Sequence, residues 1–235
     1  MNKYKKLAKA ILSIDEQESN LKISKNKLED SIAISNEFYD DFFSNLHVPN
    51  IDSKVAIYRR GYLEDYNGTC TVNRYLGNRA IDFKIFIPKE EDIKNAVTIT
   101  HEKAHIYHAL NNKKMSEEVP SFMDIIQAIY IDSKYFNGIK DDNINYKIKQ
   151  AKKSAKIYLN KSKLFYSDKS LEYQINYMKD FLRTIILLEN YLKDKEKVKS
   201  LIYTNLFEDS KNPIIKDVYV DDENYKKQLE FIKKI

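Results

Sequence analysis

The chain has 235 residues, with four glycines, four prolines, one cysteine and a net charge of +5. So few glycines and prolines argue against turn-rich sandwiches and propellers. A single cysteine excludes an internal disulfide and zinc sites built from several cysteines. The mild charge does not indicate a dedicated nucleic-acid-binding protein, so we expect no nucleic-acid partner.

The part of the chain before Pro88 predicts two helices followed by a small sheet. Apolar residues recur at helical spacing over 3–17 and 20–47, and we expect residues 1–50 to form a helical hairpin. Over 54–87 the pattern changes to alternation of apolar and polar residues, which predicts about three short strands. Three of the four glycines lie in this segment, where its turns need them: Gly61, Gly68 and Gly77.

After Pro88 the pattern is helical to the last residue. The candidate helices are 90–111, 117–136, 143–160, 169–193, 195–206 and 221–234. No internal repeat and no linker rich in Ser, Gly or Pro divides the chain. We therefore expect one domain over 1–235, with an α+β, mainly α fold and the hairpin packed on it.

Hydropathy gives no sign of a membrane span or a secretion signal. The longest aliphatic run is Ile185 to Leu188, far short of the roughly 20 residues that cross a bilayer. The first residues, MNKYKKLAKAILSIDEQ, have a charged head but a short apolar patch. The expectation is a cytoplasmic protein, and secretion by a non-classical route stays open.

The chemistry-bearing stretch is TITHEKAHIYHAL, which contains the pattern H-E-x-x-H from His101 to His105. On a helix, residues four apart share one face, so both imidazoles can reach one zinc ion. Glu102 projects beside the metal, where it can take a proton from the attacking water. The competing interpretation is a set of hydrogen-bonded core histidines that match the pattern by chance.

A catalytic zinc needs a third protein ligand. Two candidates follow the polar loop that ends this helix, Glu117 and Glu118, both at the start of the next predicted helix. One acid there is also explained by the helix dipole, so spacing alone leaves the choice between them open.

HEKAHIYH followed by EVPSFM resembles the thimet oligopeptidase and oligoendopeptidase F group of zinc metallopeptidases, over about residues 55 to 125. The resemblance implies a zincin-like catalytic domain, a Zn²⁺ cofactor held by His101, His105 and Glu118, and Glu102 as general base. Ala104 replaces the family's glycine, and the acid usually found seven residues after the third ligand is Ile125, with Asp124 adjacent. Family members are far longer, and their second helical half roofs a peptide channel.

Tyrosines late in the family's chains stabilise the oxyanion, and the resemblance extends loosely to Tyr173 and Tyr177 here. The alternative for these two is a helix packed on both faces. His108 is either a partner of the metal site or a hydrogen-bonded core residue. For Asp124 a surface position is the expected one, although it could also orient a ligand histidine.

The lysine-rich segment 147–163 contains seven lysines and no acid, and its apolar stripe predicts an amphipathic helix with the lysines in solvent.

Together these patterns predict a zinc-dependent metallopeptidase acting on a peptide or protein substrate. Two alternatives stay open. One is a non-catalytic or regulatory protein that retains a peptidase-like zinc site. The other is a toxin-like protease specific for one protein partner, because the chain lacks the half that forms the channel.

Overall fold

The structure, a computed structural model, describes residues 2–15, 25–63, 66–111, 116–135, 137–161, 168–208, 214, 224–232 and 234. These residues form eight α-helices and three strands: α1 Asn2–Leu12, α2 Leu28–Phe42, β1 Val55–Arg60, β2 Thr69–Leu76, β3 Arg79–Pro88, α3 Lys94–Leu110, α4 Glu118–Lys134, α5 Ile139–Lys161, α6 Asp168–Lys193, α7 Lys195–Phe207 and α8 Asn224–Ile232. The prediction of a mainly helical α+β fold with a small three-stranded sheet is confirmed.

The strand order in the sheet is β1-β3-β2, so β3 is central and β2 lies at one edge. β1 runs parallel to β3, with Ile57 opposite Ile85. β2 runs antiparallel to β3, with Cys70 opposite the same Ile85. Helix α3 packs against β3 and β2. The edge strand β2 therefore lies beside the helix that carries the histidines.

Helix α3 is buried on nearly all sides and carries both polar and apolar residues. Its buried polar side chains therefore need partners on the neighbouring elements. On the side facing α2, the Ser35 and Thr100 hydroxyls are 2.8 Å apart, and the Tyr39 hydroxyl donates to the Thr100 carbonyl oxygen at 3.1 Å. Lys103 is buried and pairs with Asp52 at 3.1 Å. These contacts fix the rotation of α3 and so determine which face its histidines occupy.

One cluster of buried apolar side chains runs from Leu7 in α1 to Ile232 in α8. The two N-terminal helices pack mainly on different neighbours, α1 on α5 and α2 on α3. The described residues of α1 and α2 therefore do not pair mainly with each other, as a hairpin over residues 1–50 would require.

Several helix boundaries differ from the sequence prediction: α1 ends at Leu12, α3 begins at Lys94, and the bounds of α2 and α5 also change. Helix α2 begins at Leu28 and ends at Phe42, where the Phe43 backbone N–H donates to Tyr39 and the chain turns. Helix α5 begins at Ile139 because the Asp132 carboxylate accepts hydrogen bonds from its first backbone N–H groups. Predicted helical residues 16–17, 20–24 and 221–223 lie outside the described residues.

In the part of the chain that the structure describes, no helix has a stretch that is both long and apolar enough to cross a membrane.

Candidate metal centre

Helix α3 brings His101 and His105 together one turn apart, as the sequence pattern predicts. Their Nε2 atoms are 3.1 Å apart, and both side chains are largely buried. Two imidazole nitrogens at this separation repel unless a cation or a proton lies between them. The helix thus presents half of a cation site.

The carboxylate that completes the group belongs to Glu117. Its Oε2 is 3.2 Å from His101 Nε2, and its Oε1 is 3.6 Å from His105 Nε2. The structure differs from the prediction of Glu118 as third ligand: Glu118 begins α4 with a buried side chain, and among the described residues the ligand atoms that converge belong to His101, His105 and Glu117. Glu117 lies just before the helix, so its side chain faces back toward α3.

Helix α6 holds this end of α4 in place. The Glu117 backbone N–H donates to Asp180 Oδ2 at 3.2 Å, and the Thr184 hydroxyl donates to the Glu118 carbonyl oxygen at 3.2 Å. Arg183 pairs with the other Asp180 oxygen at 2.8 Å. The position of the third carboxylate therefore depends on a helix more than 60 residues away.

The group is close to the dimensions of a zinc site. Ligand atoms about 2.1 Å from a tetrahedral zinc are about 3.4 Å from one another. Here the two Nε2 atoms are 3.1 Å apart, Glu117 Oε2 is 3.2 Å from one and Glu117 Oε1 is 3.6 Å from the other, and one ligand atom from each residue lies within 4.8 Å of the other two. Two histidines and one carboxylate are also a ligand set found in catalytic zinc sites, with a fourth position left for water or substrate. His101, His105 and Glu117 therefore fit the ion that the sequence predicted.

Asp124 orients the first histidine. Its Oδ2 is 2.9 Å from His101 Nδ1, and its side chain is 3% exposed, so the expected surface position is wrong. An acceptor at Nδ1 fixes the imidazole tautomer and leaves Nε2 for a metal.

The charges around the histidines favour a cation. Burial lowers the pKa of His101, but the charge of Asp124 and the hydrogen bonds that the imidazole donates to Asp124 and Glu117 raise it to about 10 overall. Burial raises the pKa of Glu117, yet hydrogen bonds from the two histidines bring it well below its usual value. Glu117 is consequently ionised at neutral pH, and the site attracts positive charge.

Glu102 lies on the neighbouring face of α3, under the edge strand β2. Its side chain is 4% exposed, and the residue preceding β2, Gly68, lies against it. Cys70, two residues on and therefore on the same face of the strand, also faces this carboxylate. Burial and the charge of Glu102 raise the pKa of the Cys70 thiol, which stays protonated.

At Gly68 even a methyl side chain would clash with its neighbours unless they moved. A methyl group built on it would lie 2.7 Å from Glu102 Oε1 and 2.5 Å from Thr98 Cγ2. Its backbone conformation does not itself require glycine, so the constraint is the close approach of β2 to α3. The sequence indicated only a turn glycine at this position.

We predict that Gly68→Ala displaces Glu102 while leaving the three ligands in place. Misplacement of a catalytic group by about 1 Å can cost about 100-fold in rate, so if Glu102 is the general base that the sequence predicts, the predicted hydrolysis should fall by about that factor with no change in metal binding. Gly61→Ala is the matched control, because a methyl group there meets only Lys89 Cδ at 3.7 Å. Wild-type activity in Gly68→Ala would mean that Glu102 does not need its observed position.

The two predicted tyrosines lie near the third ligand. Tyr177 lines a small recess together with Glu117 and Lys147. Tyr173 is 63% exposed one turn away. Burial and the charge of Glu117 raise the pKa of both phenols, so both keep their proton at neutral pH. Each can donate a hydrogen bond, and their role as oxyanion donors stays a prediction.

Two further residues take positions that the sequence did not decide. His108 is a hydrogen-bonded core residue, since its side chain is buried and its Nε2 is 2.8 Å from Asn205 Oδ1 of α7. Lys147 departs from the predicted solvated face of α5: it is buried against Asp124, whereas Lys149 and Lys153 are exposed. The apolar stripe Ile148, Ala151, Ala155 and Tyr158 is buried as predicted.

No family model, no curated protein and no solved structure matches this chain.

Proposed function

We propose that this protein is a zinc-dependent metallopeptidase of the HExxH-plus-Glu type, with a zincin-like catalytic domain. The observation that carries the proposal is the convergence of His101, His105 and Glu117, each with one ligand atom within 4.8 Å of the other two, and Glu102 follows His101 on the same helix. This convergence supports a site of the kind that the HExxH pattern predicts.

A zinc ion held by these three residues would polarise the attacking water and the substrate carbonyl. Glu102 would accept the proton of that water and pass it to the leaving amine, as a general base and then a general acid. Its burial would exclude competing solvent, and Gly68 and Cys70 of the β2 segment lie against its carboxylate. Tyr177 would donate its phenol hydrogen to the developing oxyanion.

The edge strand β2 offers a place for the substrate backbone. An extended peptide can add to a sheet edge through main-chain hydrogen bonds, and the start of β2 lies next to Glu102. A peptide aligned there would present its scissile bond near the metal group. The substrate would then be an extended stretch of a peptide or protein.

The experiment that tests the function combines metal analysis with a digest. Protein purified without a metal-affinity tag should contain about one zinc per chain, and a peptide library should be cleaved. Removal of the metal with a chelator should stop cleavage, and zinc should restore it. A chain that takes up no zinc even when zinc is supplied would overturn the proposal.

Zinc uptake without cleavage of any library peptide would point to the other functions: a protease specific for one partner, or a regulatory protein with a structural zinc. Digestion of a whole-cell protein extract separates the two, because only the specific protease produces a new cleavage product, which Glu102→Gln fails to produce.

A further inference from the structure

Helix α5 carries a buried lysine, Lys147, that contacts a neighbour of the candidate metal centre. Lys147 Nζ pairs with Asp124 Oδ2, the same oxygen that contacts His101, and lies 3.3 Å from the Ser121 hydroxyl. The Lys147 side chain is 7% exposed and that of Asp124 is 3% exposed. Three helices thus contribute to one chain of contacts: His101 from α3, Asp124 from α4 and Lys147 from α5.

The burial of this lysine needs an explanation, because taking an ammonium group out of water is costly. Lys149, Lys153 and Lys156 of α5 are exposed, so helix amphipathicity does not require a buried lysine here. Burial lowers the pKa of Lys147, but the charge of Asp124 and its hydrogen bond raise it overall, so the group stays charged. A charged pair at this depth can orient a neighbouring polar group, which an apolar pair could not do.

We propose that Lys147 is a positioning residue for the metal centre, acting through Asp124. The inference rests on the proposed function, since it assumes that His101 binds the metal. The ammonium fixes the Asp124 carboxylate so that Oδ2 faces His101 Nδ1, and the imidazole then holds Nε2 toward His105 and Glu117. Lys147 reaches none of the three ligands itself in any contact of the described residues.

The direction of the effect distinguishes positioning from charge. The Lys147 charge repels a bound dication, so if charge alone mattered, its removal would tighten zinc binding. If Lys147 positions Asp124, its removal frees the carboxylate to turn away from His101 and weakens zinc binding. Loss of an outer partner of a metal ligand typically costs about 10–100-fold in affinity.

A double-mutant cycle on the full chain tests this, with the zinc dissociation constant measured by competition with a chromophoric chelator. We expect Asp124→Asn to weaken zinc binding about 10–100-fold and Lys147→Met about 10-fold, with no further loss in the double variant beyond Asp124→Asn. Lys147→Arg should keep the wild-type affinity within about threefold. Lys149→Met, an exposed lysine of the same helix, is the matched control and should change nothing.

Thermal unfolding of the chelator-treated variants separates positioning from packing. A variant that loses zinc affinity but unfolds at the wild-type temperature has lost positioning, whereas a lower unfolding temperature indicates lost packing. Losses of zinc affinity that add up in the double variant, or tighter binding in Lys147→Met, would overturn the inference while leaving the zinc site intact. Absence of zinc binding in the wild type would instead overturn the proposed function, and the inference with it.

Removing one partner of a buried pair can prevent folding. If Lys147→Met does not fold, the zinc affinity of the double variant, which removes both charges, is compared with that of Asp124→Asn alone. Equal zinc affinities support action through Asp124, and a further loss contradicts it.

Discussion

Glu102→Gln is expected to bind zinc as the wild type does and to lose peptide hydrolysis. The amide keeps the size of the side chain under β2 but cannot accept a proton from water. Loss of a general base typically costs about 10²–10⁴-fold in rate. Because Glu102 is not among the three converging ligands, the zinc content should stay at that of the wild type.

The measurement is the initial rate of cleavage of a library-derived peptide, with zinc per chain determined on the same sample. Glu91→Gln is a suitable control, since Glu91 lies outside the site and pairs with Arg59. Full activity in a zinc-loaded Glu102→Gln protein would exclude the proposed mechanism. Loss of zinc in this variant would mean that Glu102 is a ligand instead.

Glu117→Gln is expected to lose zinc, and Glu118→Gln is expected to keep it. The two acids are adjacent in sequence, yet only the Glu117 carboxylate faces both histidines. Replacing a charged ligand with a neutral amide should weaken zinc binding by more than the ~10–100-fold cost of losing an outer partner. Activity at limiting zinc should fall in parallel.

The pair of variants is its own control, because both change one carboxylate to an amide at the start of α4. Chelator competition gives the dissociation constants, and thermal unfolding of chelator-treated protein reports on the fold. The reverse result, with zinc lost only in Glu118→Gln, would restore the ligand implied by the family resemblance and contradict the structure at this helix start.

Local periodicity predicted the parts of the molecule that depend on neighbouring residues. The spacing of His101 and His105 requires only that α3 be a helix, and the alternation over 54–87 requires only that strands form. The pairing of β1 with β3 in parallel did not follow from the pattern. Strand order is decided by contacts between segments that are distant in sequence.

The choice between Glu117 and Glu118 shows the same limit at one residue. Which of them faces the histidines depends on where α4 begins, and that depends on Asp180 of α6. Asp124 and Lys147 are a second example. Each looks like a surface charge in its own helix, and each is buried because the other lies opposite it. Pairs of this kind have no signal in a single sequence.

The dependence of Glu117 on α6 makes the candidate site a property of the whole chain. Its histidines come from α3, its carboxylate from the turn before α4, and the backbone of that turn is held by Asp180 and Thr184. An unfolded chain cannot assemble these groups, so a metal that binds them favours the native state by mass action. At a free concentration 100 times its dissociation constant, such a ligand adds about 2.7 kcal/mol to the free energy of unfolding. The supply of zinc would then influence how much of the protein is folded.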